Sequence, residues 1–157
     1  MQITRQADYA LRAMSYLALL DPNRRAATSQ IAEEQHIPPS FLAKIISQLS
    51  IAGLIHTSRG ARGGVSIARD PSAISILDVV EAIDGPISLN ICTDNASSDC
   101  SLGDQCVMRT LWCDAQADLV GRLRRANFGQ VAAQQRSAAQ KRLSQIVFEP
   151  EKLASVN

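Results

Sequence analysis

The sequence contains few aromatic residues and no long apolar segment. Aromatic residues make up 4% of the 157 positions and hydrophobic residues 46%, which predicts a mainly aliphatic core. The longest apolar run, near residues 17–20, is far shorter than the roughly 20 residues that cross a bilayer. The first ten residues, MQITRQADYA, are polar and charged and include no apolar signal segment. We therefore expect a cytoplasmic protein with no membrane partner.

Histidine is also scarce, and its scarcity limits the chemistry expected of the four cysteines. The two histidines, His36 and His56, lie far in sequence from every cysteine, and a cysteine nucleophile needs a nearby base. No nucleophile motif surrounds Cys106, so we predict no catalytic residue and no enzyme activity. Cytoplasmic thiols stay reduced, so metal or redox chemistry accounts for the cysteines better than a disulfide framework does.

The net charge of +1 conceals an uneven distribution of charged residues. Residues 1–70 hold eight basic and five acidic side chains, whereas the remainder holds eight basic and ten acidic ones. Within residues 54–69 there are three arginines, Arg59, Arg62 and Arg69, and no acid. A basic stripe on a near-neutral protein indicates a local site for a polyanion such as DNA. An ordinary solvated surface is the alternative.

The first half of the chain has the pattern of a winged helix. Apolar residues at helical spacing predict helices over residues 4–20, 30–35 and 40–51, with N-caps at Thr4, Thr28–Ser29 and Ser40. The third helix is predicted to turn inward Phe41, Leu42, Ile45, Ile46 and Leu49. A β-hairpin follows, with strands in residues 54–59 and 65–69 around a Gly-rich turn. Two short helices and a tight turn form a helix-turn-helix, and the hairpin is its wing.

The second half is predicted to hold a short helix over residues 75–83, a cysteine-bearing loop and a long helix over residues 107–126. The long helix carries one apolar stripe, made of Met108, Leu111, Trp112, Ala115, Leu119 and Leu123. Such a stripe favours pairing with a second copy of the helix; packing onto its own domain is the alternative. Residues 128–131 are predicted to form one more short element.

We therefore predict a mainly α fold, a winged helix-turn-helix domain with a two-stranded wing plus a long C-terminal dimerisation helix. The predicted divisions are the DNA-binding domain, the cysteine cluster loop, the dimerisation helix with its short following element, and a C-terminal helix or flexible tail. They span residues 1–85, 86–106, 107–132 and 133–157.

A recognition helix offers polar groups to DNA at its N-terminal half, and glycines in a wing let the backbone approach DNA closely. Ser and Gln side chains bind base edges, and Lys binds phosphate or guanine. Arginines in the wing enter a minor groove or bind phosphates. The predicted DNA-binding residues are Ser40, Lys44, Gln48, Arg59, Gly60, Arg62, Gly63 and Gly64.

Three cysteines, Cys92, Cys100 and Cys106, lie in one polar segment with the spacing C-x7-C-x5-C. Thiolates suit both zinc and iron–sulfur clusters, but zinc usually takes a C-x2–4-C knuckle, which this segment lacks. A metal-free redox switch needs only two thiols and remains the rival interpretation. Cys113 lies about 10 Å farther along the predicted helix, where packing in the dimer seam is favoured over a ligand role.

The segments RQADYALRAMSYLA, LAKIISQLSIAGLI, RGARGGVSIAR and ILDVVEAIDGP, followed by the cysteines and LW, resemble the IscR, NsrR and RirA family of bacterial winged-helix repressors. The resemblance covers residues 2 to about 132. It implies a homodimeric transcription factor on a pseudo-palindromic DNA operator, with Arg59 in the minor groove. Ala43 stands where IscR has an acidic base-contacting residue, so the operator sequence of IscR is not expected here.

The same resemblance implies a 4Fe–4S or 2Fe–2S cluster on Cys92, Cys100 and Cys106. The gap of seven residues between the first two cysteines is similar to RirA rather than to IscR or NsrR. Arg109 stands where IscR-like proteins place a histidine ligand, and arginine cannot bind iron. NsrR-like proteins use an aspartate of the first helix of the partner subunit, which Asp8 matches. The alternative role of Asp8 is to complement the dipole of its helix.

Together these expectations describe a DNA-binding transcription regulator, expected to be a repressor, that is controlled by an iron–sulfur cluster. The signal would be nitric oxide, iron or cluster supply, or redox state. The alternative is a metal-free winged-helix regulator switched by thiol oxidation or by a small-molecule effector.

Overall fold

The computed structural model describes residues 3–21, 24–60, 63–93 and 106–148. These residues form six α-helices and one two-stranded antiparallel sheet, which confirms the predicted mainly α winged-helix fold. In chain order the elements are α1 Arg5–Leu19, α2 Thr28–Glu34, α3 Pro39–Ile51, β1 Ile55–Ser58, β2 Gly64–Ile67, α4 Ile76–Asp84, α5 Val107–Arg125 and α6 Phe128–Phe148. Short 3-10 turns lie at Pro71–Ala73 and Ile91–Thr93.

Helix α1 begins where the sequence predicts and forms the centre of the core. The Thr4 hydroxyl accepts a hydrogen bond from the Ala7 N–H at 3.1 Å, as an N-cap does. The same hydroxyl donates to the Asp84 carboxylate at 2.6 Å, which joins the start of α1 to the end of α4. The buried face of α1 is made of Ala7, Ala10, Ala13, Met14, Leu17 and Ala18.

The starts of α2 and α3 differ from the prediction. The N-cap of α2 is Ala27, with no side-chain cap hydrogen bond, so the cap predicted at Thr28–Ser29 is wrong. Helix α3 begins at Pro39, which places Ser40 in the first turn rather than at the cap. Proline suits the first helical position because its missing N–H would have no partner there.

The wing is a hairpin that a third segment extends. β1 pairs with β2 in the register Ile55 with Ile67 and Ser58 with Gly64. The Ala26 N–H donates to the Val65 carbonyl at 2.9 Å, and the Val65 N–H donates to the Ala26 carbonyl at 2.9 Å. The backbone between α1 and α2 therefore lies beside the wing and fixes it to the helical core.

Helix α4 begins with a complete capping box. The Ser75 hydroxyl accepts a hydrogen bond from the Asp78 N–H at 3.0 Å, and the Asp78 carboxylate accepts one from the Ser75 N–H at 2.9 Å. Its outer side forms a small apolar cluster with the C-terminal half of α5, which contributes Leu119, Val120 and Leu123. Cysteine-bearing α5 is thus joined directly to the winged-helix domain.

Helix α6 joins what the sequence predicts as two elements, the short element at residues 128–131 and the helical alternative for the C-terminal segment. The predicted short element at residues 128–131 and the predicted tail up to Phe148 are one continuous helix. No Gly or Pro occurs between Gly129 and Pro150 to interrupt it. Phe128 is fully buried in the main core, because α6 packs on α1. Across the described ranges, no helix is long and apolar enough to cross a membrane.

Candidate DNA-binding surface and cysteine region

Helix α3 has one buried side and one exposed side. Leu42, Ile45 and Leu49 are buried in the core, which leaves Ser40, Ala43, Lys44, Ser47 and Ile51 exposed on the other side. The exposed side is mostly polar and carries the cation of Lys44. This surface has the size and chemistry of a helix that enters a major groove.

A cleft of about 590 Å³ separates the exposed side of α3 from the wing. Helix α3 contributes Ala43, Ser47 and Ser50 to its walls. The wing contributes Thr57, Arg59 and five further residues: Ser58, Gly60, Gly63, Gly64 and Val65. Thr28 at the start of α2 also lines this cleft. The sequence gives no local signal for Thr28, because its place beside the cleft depends on how α2 packs on α3.

The glycines of the wing are required by close backbone approach. A Cβ on Gly63 would lie 2.4 Å from the Ser58 carbonyl oxygen, and a Cβ on Gly64 would lie 2.7 Å from the Ala26 carbonyl oxygen. Gly60 has a φ of +103° and Gly64 a φ of +147°, a region that favours glycine. The tight turn of the wing therefore accepts no other residue at positions 63 and 64 without moving backbone.

Four of the eight predicted DNA-binding residues, Arg59, Gly60, Gly63 and Gly64, line the cleft between α3 and the wing. Ser40 and Lys44 are exposed on α3, while Arg59, Gly60, Gly63 and Gly64 form the tip and base of the wing. Arg62 lies outside the described residues. Gln48 lies at the α1 side of α3, where its Oε1 accepts a hydrogen bond from Gln6 Nε2. A bidentate contact between Gln48 and adenine would require this bond to break.

Phe41 is not inside the core as predicted, because it lies at the boundary between the buried and exposed sides of α3. It is 47% exposed and contacts the Tyr9 ring edge-to-face, with 6.1 Å between the ring centroids. The Arg12 guanidinium lies 5.6 Å from the centroid of Tyr9 and forms an ion pair with Asp8 at 2.7 Å. Side-chain contacts therefore connect Asp8 on α1 to Phe41 on the recognition helix.

The cysteines of the described residues all lie near α5. Cys92 is in the 3-10 turn Ile91–Thr93, Cys106 is the N-cap of α5, and both are half-buried. Cys113 is exposed on α5. Cys100 lies outside the described residues, and within those residues no three potential metal-binding side chains form a group.

The turn that carries Cys92 is fixed to α5 by one side chain. Gln116 accepts a hydrogen bond from the Leu89 N–H at 2.9 Å and donates to the Thr93 carbonyl at 3.4 Å. Within the turn, the Thr93 hydroxyl donates to the Asn90 carbonyl at 2.8 Å. Gln116 was not identified from the sequence, since a glutamine on a polar helix face has no distinctive spacing. Its contacts hold Cys92 against the helix that Cys106 begins.

The N-terminal half of α5 presents apolar side chains to solvent. Val107 is 85% exposed, Leu111 55% and Met108 49%, whereas Leu119 and Leu123 pack against α4. The predicted stripe is thus divided into an outer part without a partner in the described chain and an inner part within its own domain. The outer part is the surface expected of an interface.

The chain is similar in sequence to one family of transcriptional regulators and to individual regulators of known name. A profile of the Rrf2 family, described as "Iron-dependent Transcriptional regulator", matches residues 3–134. The chain is 33% identical to the HTH-type transcriptional regulator IscR of Vibrio cholerae over 83% of this chain and 75% of that protein. It is 32% identical to NsrR of Shouchella clausii, over 74% and 78%.

Solved structures show the same fold. CymR, the global cysteine regulator of B. subtilis, superposes with a TM-score of 0.71 at 25% identity, covering 85% of this chain and 97% of that one. IscR of T. potens superposes with a TM-score of 0.70 at 22% identity, covering 88% and 90%.

Proposed function

Because this chain belongs to the Rrf2 family of transcriptional regulators, we propose that it is a homodimeric repressor whose operator binding is controlled by an iron–sulfur cluster. Residues 1–85 bind the operator, residues 86–106 hold the cluster, and α5 forms the dimer. The signal is nitric oxide, iron or cluster supply, or redox state, and the two-fold symmetry of the dimer predicts a pseudo-palindromic operator.

The observation that carries this proposal is the position of Cys92 and Cys106. Both thiols are half-buried: Cys106 is the N-cap of α5, and Gln116 holds the turn that carries Cys92 on the same helix. Two half-buried thiols at the ends of a polar stretch of sequence that contains a third cysteine suit cluster iron, which takes cysteine thiolates. Cys92, Cys100 and Cys106 would hold the cluster, which when bound supplies iron that reacts with nitric oxide or oxidants.

Protein purified without oxygen should be brown and contain iron and acid-labile sulfide. Alanine at Cys92, Cys100 or Cys106 should each remove most of both, because each substitution deletes a proposed ligand. Cys113→Ala is the matched control and should retain them. Iron and sulfide that persist in Cys100→Ala but disappear in Cys113→Ala would contradict the assignment.

A metal-free thiol switch is the second candidate, favoured by the exposed Cys113 thiol. A structural neighbour, CymR of Staphylococcus aureus, has been solved in an oxidized form, although its 23% identity shows only a shared fold. On this alternative, wild-type protein purified without oxygen is colourless. Its operator affinity changes on treatment with hydrogen peroxide and returns with dithiothreitol.

The dimer is proposed to form through the outer apolar part of α5. Met108→Asp should convert the protein to a monomer in sedimentation at micromolar concentration, since a buried unpaired carboxylate is strongly unfavourable at an interface. Ala117→Asp is the matched control, because Ala117 is also exposed and lies nine residues away, about two and a half turns, on the opposite side of the helix. A dimer that survives Met108→Asp and dissociates with Ala117→Asp would place the interface on the other side of α5.

A further inference from the structure

A second cleft, here called the back cavity, lies behind the wing and is not part of the DNA-binding surface. It has a volume of about 590 Å³, within the approximate range of 300–1,000 Å³ of small-molecule sites. Its walls come from the end of α1, from the segment that leads into α2, and from the wing with residues 68–71 that follow it. Cys92, Cys106 and Asp8 are not among the residues that line it.

The back cavity combines an apolar wall with cationic groups. Leu17, Leu20 and Ile67 supply apolar surface. Arg24 and Arg25 supply cations, and the His56 ring supplies hydrogen-bonding nitrogens. The two arginines are exposed, and neither has an ion-pair partner within the described part of the chain.

The other charged groups of the back cavity are mostly engaged. Arg69 forms an ion pair with Asp78 at 3.5 Å, and the Asp70 carboxylate accepts a hydrogen bond from the Ser72 N–H at 2.7 Å. Asp21 is the remaining acid of the lining. Arg24 and Arg25 are therefore the cations available to a ligand.

We propose that the back cavity binds a small organic anion with an apolar body, and that its occupancy changes operator affinity. A carboxylate matches the paired donors of arginine, and Arg24 and Arg25 offer two such groups. The hydrocarbon part of the ligand lies on Leu17, Leu20 and Ile67, which removes apolar surface from water.

The wing provides the coupling between the back cavity and the DNA-binding cleft. His56 and Ser66 are cross-strand partners that line the back cavity, and the next pair, Thr57 and Val65, lines the DNA-binding cleft. Successive side chains of a strand point to opposite faces, so the two sites share one sheet. A ligand that fixes one face of the sheet therefore biases the position of the other.

A second contact links the proposed ligand to the wing. Arg25 directly precedes Ala26, whose backbone is paired in both directions with Val65 at 2.9 Å. An anion held by Arg25 acts on this bridge between Ala26 and Val65 and so on the base of the wing. If the anion changes DNA affinity by some factor, DNA must change anion affinity by the same factor.

The test uses hexanoate as the probe and hexanamide as its neutral counterpart, with the full-length protein followed by NMR. Hexanoate should shift the resonances of the His56 ring and of the Ser66 and Ala68 amides, and hexanamide should not. Inorganic phosphate, which has no apolar body, should bind at least about tenfold more weakly. Equal binding of hexanoate and hexanamide, or of hexanoate and phosphate, would overturn the proposal, as would unshifted His56 resonances.

The double variant Arg24→Gln and Arg25→Gln should weaken hexanoate binding by about tenfold or more, since charged hydrogen bonds are lost. Arg122→Gln is the control, because Arg122 is an exposed arginine of α5 away from the back cavity. Saturating hexanoate should change the operator affinity of wild-type protein and of the control, but not of the double variant. If the double variant binds hexanoate normally, the proposal is wrong. It is also wrong if hexanoate does not change the operator affinity of wild-type protein and the double variant only loses DNA affinity and salt dependence, because the arginines are then DNA contacts.

Discussion

Arg59→Ala should lower operator affinity about 10- to 100-fold, the effect of losing one well-placed arginine contact worth about 1–3 kcal/mol. Arg59 is exposed at the mouth of the cleft between α3 and the wing. Gly60 and Gly63 follow it in a turn closed by a hydrogen bond of 2.8 Å from the Gly63 N–H to the Gly60 carbonyl. The side chain is therefore carried on backbone that DNA can approach closely.

Arg69→Ala is the matched comparison and should lower affinity by less than about threefold. Arg69 lies past the end of β2, lines the other face of the wing and pairs with Asp78. Fluorescence anisotropy on a duplex selected by the wild-type protein measures both variants. The dependence of log affinity on log salt should become shallower by about one unit for Arg59→Ala only. Equal affinities and equal salt slopes for the two variants would place the DNA contact elsewhere on the wing.

Local sequence patterns were sufficient to predict the winged helix. Apolar spacing predicted Leu42, Ile45 and Leu49 on the buried side of α3 but wrongly included Phe41. The Gly-rich segment predicted the hairpin, and both patterns act between residues close in the chain. The capping residue Thr4 was also correct. The cap predicted at Thr28–Ser29 was not, since a helix start accepts several residue types and tertiary packing decides among them.

The features that the sequence did not predict depend on contacts between distant segments. Phe128 was assigned to a short separate element, yet its N–H donates to the Ile74 carbonyl at 3.1 Å and the side chain is completely buried. The pairing of Ser75 with Asn127 brings these segments together across about fifty residues. The back cavity likewise takes its walls from three segments. No spacing of residues within one segment predicts a site of this kind.

The structure of α5 is compatible with both interpretations of its apolar stripe, pairing with a second copy of the helix and packing onto its own domain. Its apolar stripe supports packing onto α4 at Leu119 and Leu123 and leaves Met108 and Leu111 exposed. A single periodicity can therefore serve two interfaces along one helix. Of the proposed sensor residues, Cys106 lies at the exposed, N-terminal end of α5, next to the proposed dimer interface, and Cys92 lies in the turn that Gln116 holds on this helix.

This arrangement gives a specific prediction for Asp8, which we propose as the cluster ligand donated by the partner subunit. Asp8→Asn should shorten cluster lifetime in air by about tenfold or more, as losses in a metal site commonly do, and should alter operator affinity. Asp8 pairs with Arg12, which stacks on Tyr9, which contacts Phe41. If the Asp8 carboxylate bound a cluster in the partner subunit, it would no longer pair with Arg12. The contacts that run from Arg12 through Tyr9 to Phe41 on the recognition helix α3 would then change.

Arg12→Gln separates this role from a purely structural one. It removes the same ion pair, whose groups are both 48% exposed and whose contribution to stability is therefore only about 0.3–0.5 kcal/mol. If Asp8 serves only its own helix, both variants should lower the melting temperature slightly and equally and should keep normal cluster lifetimes. If Asp8 is a ligand, iron and sulfide content measured over time should decline faster in Asp8→Asn alone. Cluster-free forms of Asp8→Asn and Arg12→Gln should then bind the operator with similar affinity, because both variants lack the Asp8–Arg12 ion pair.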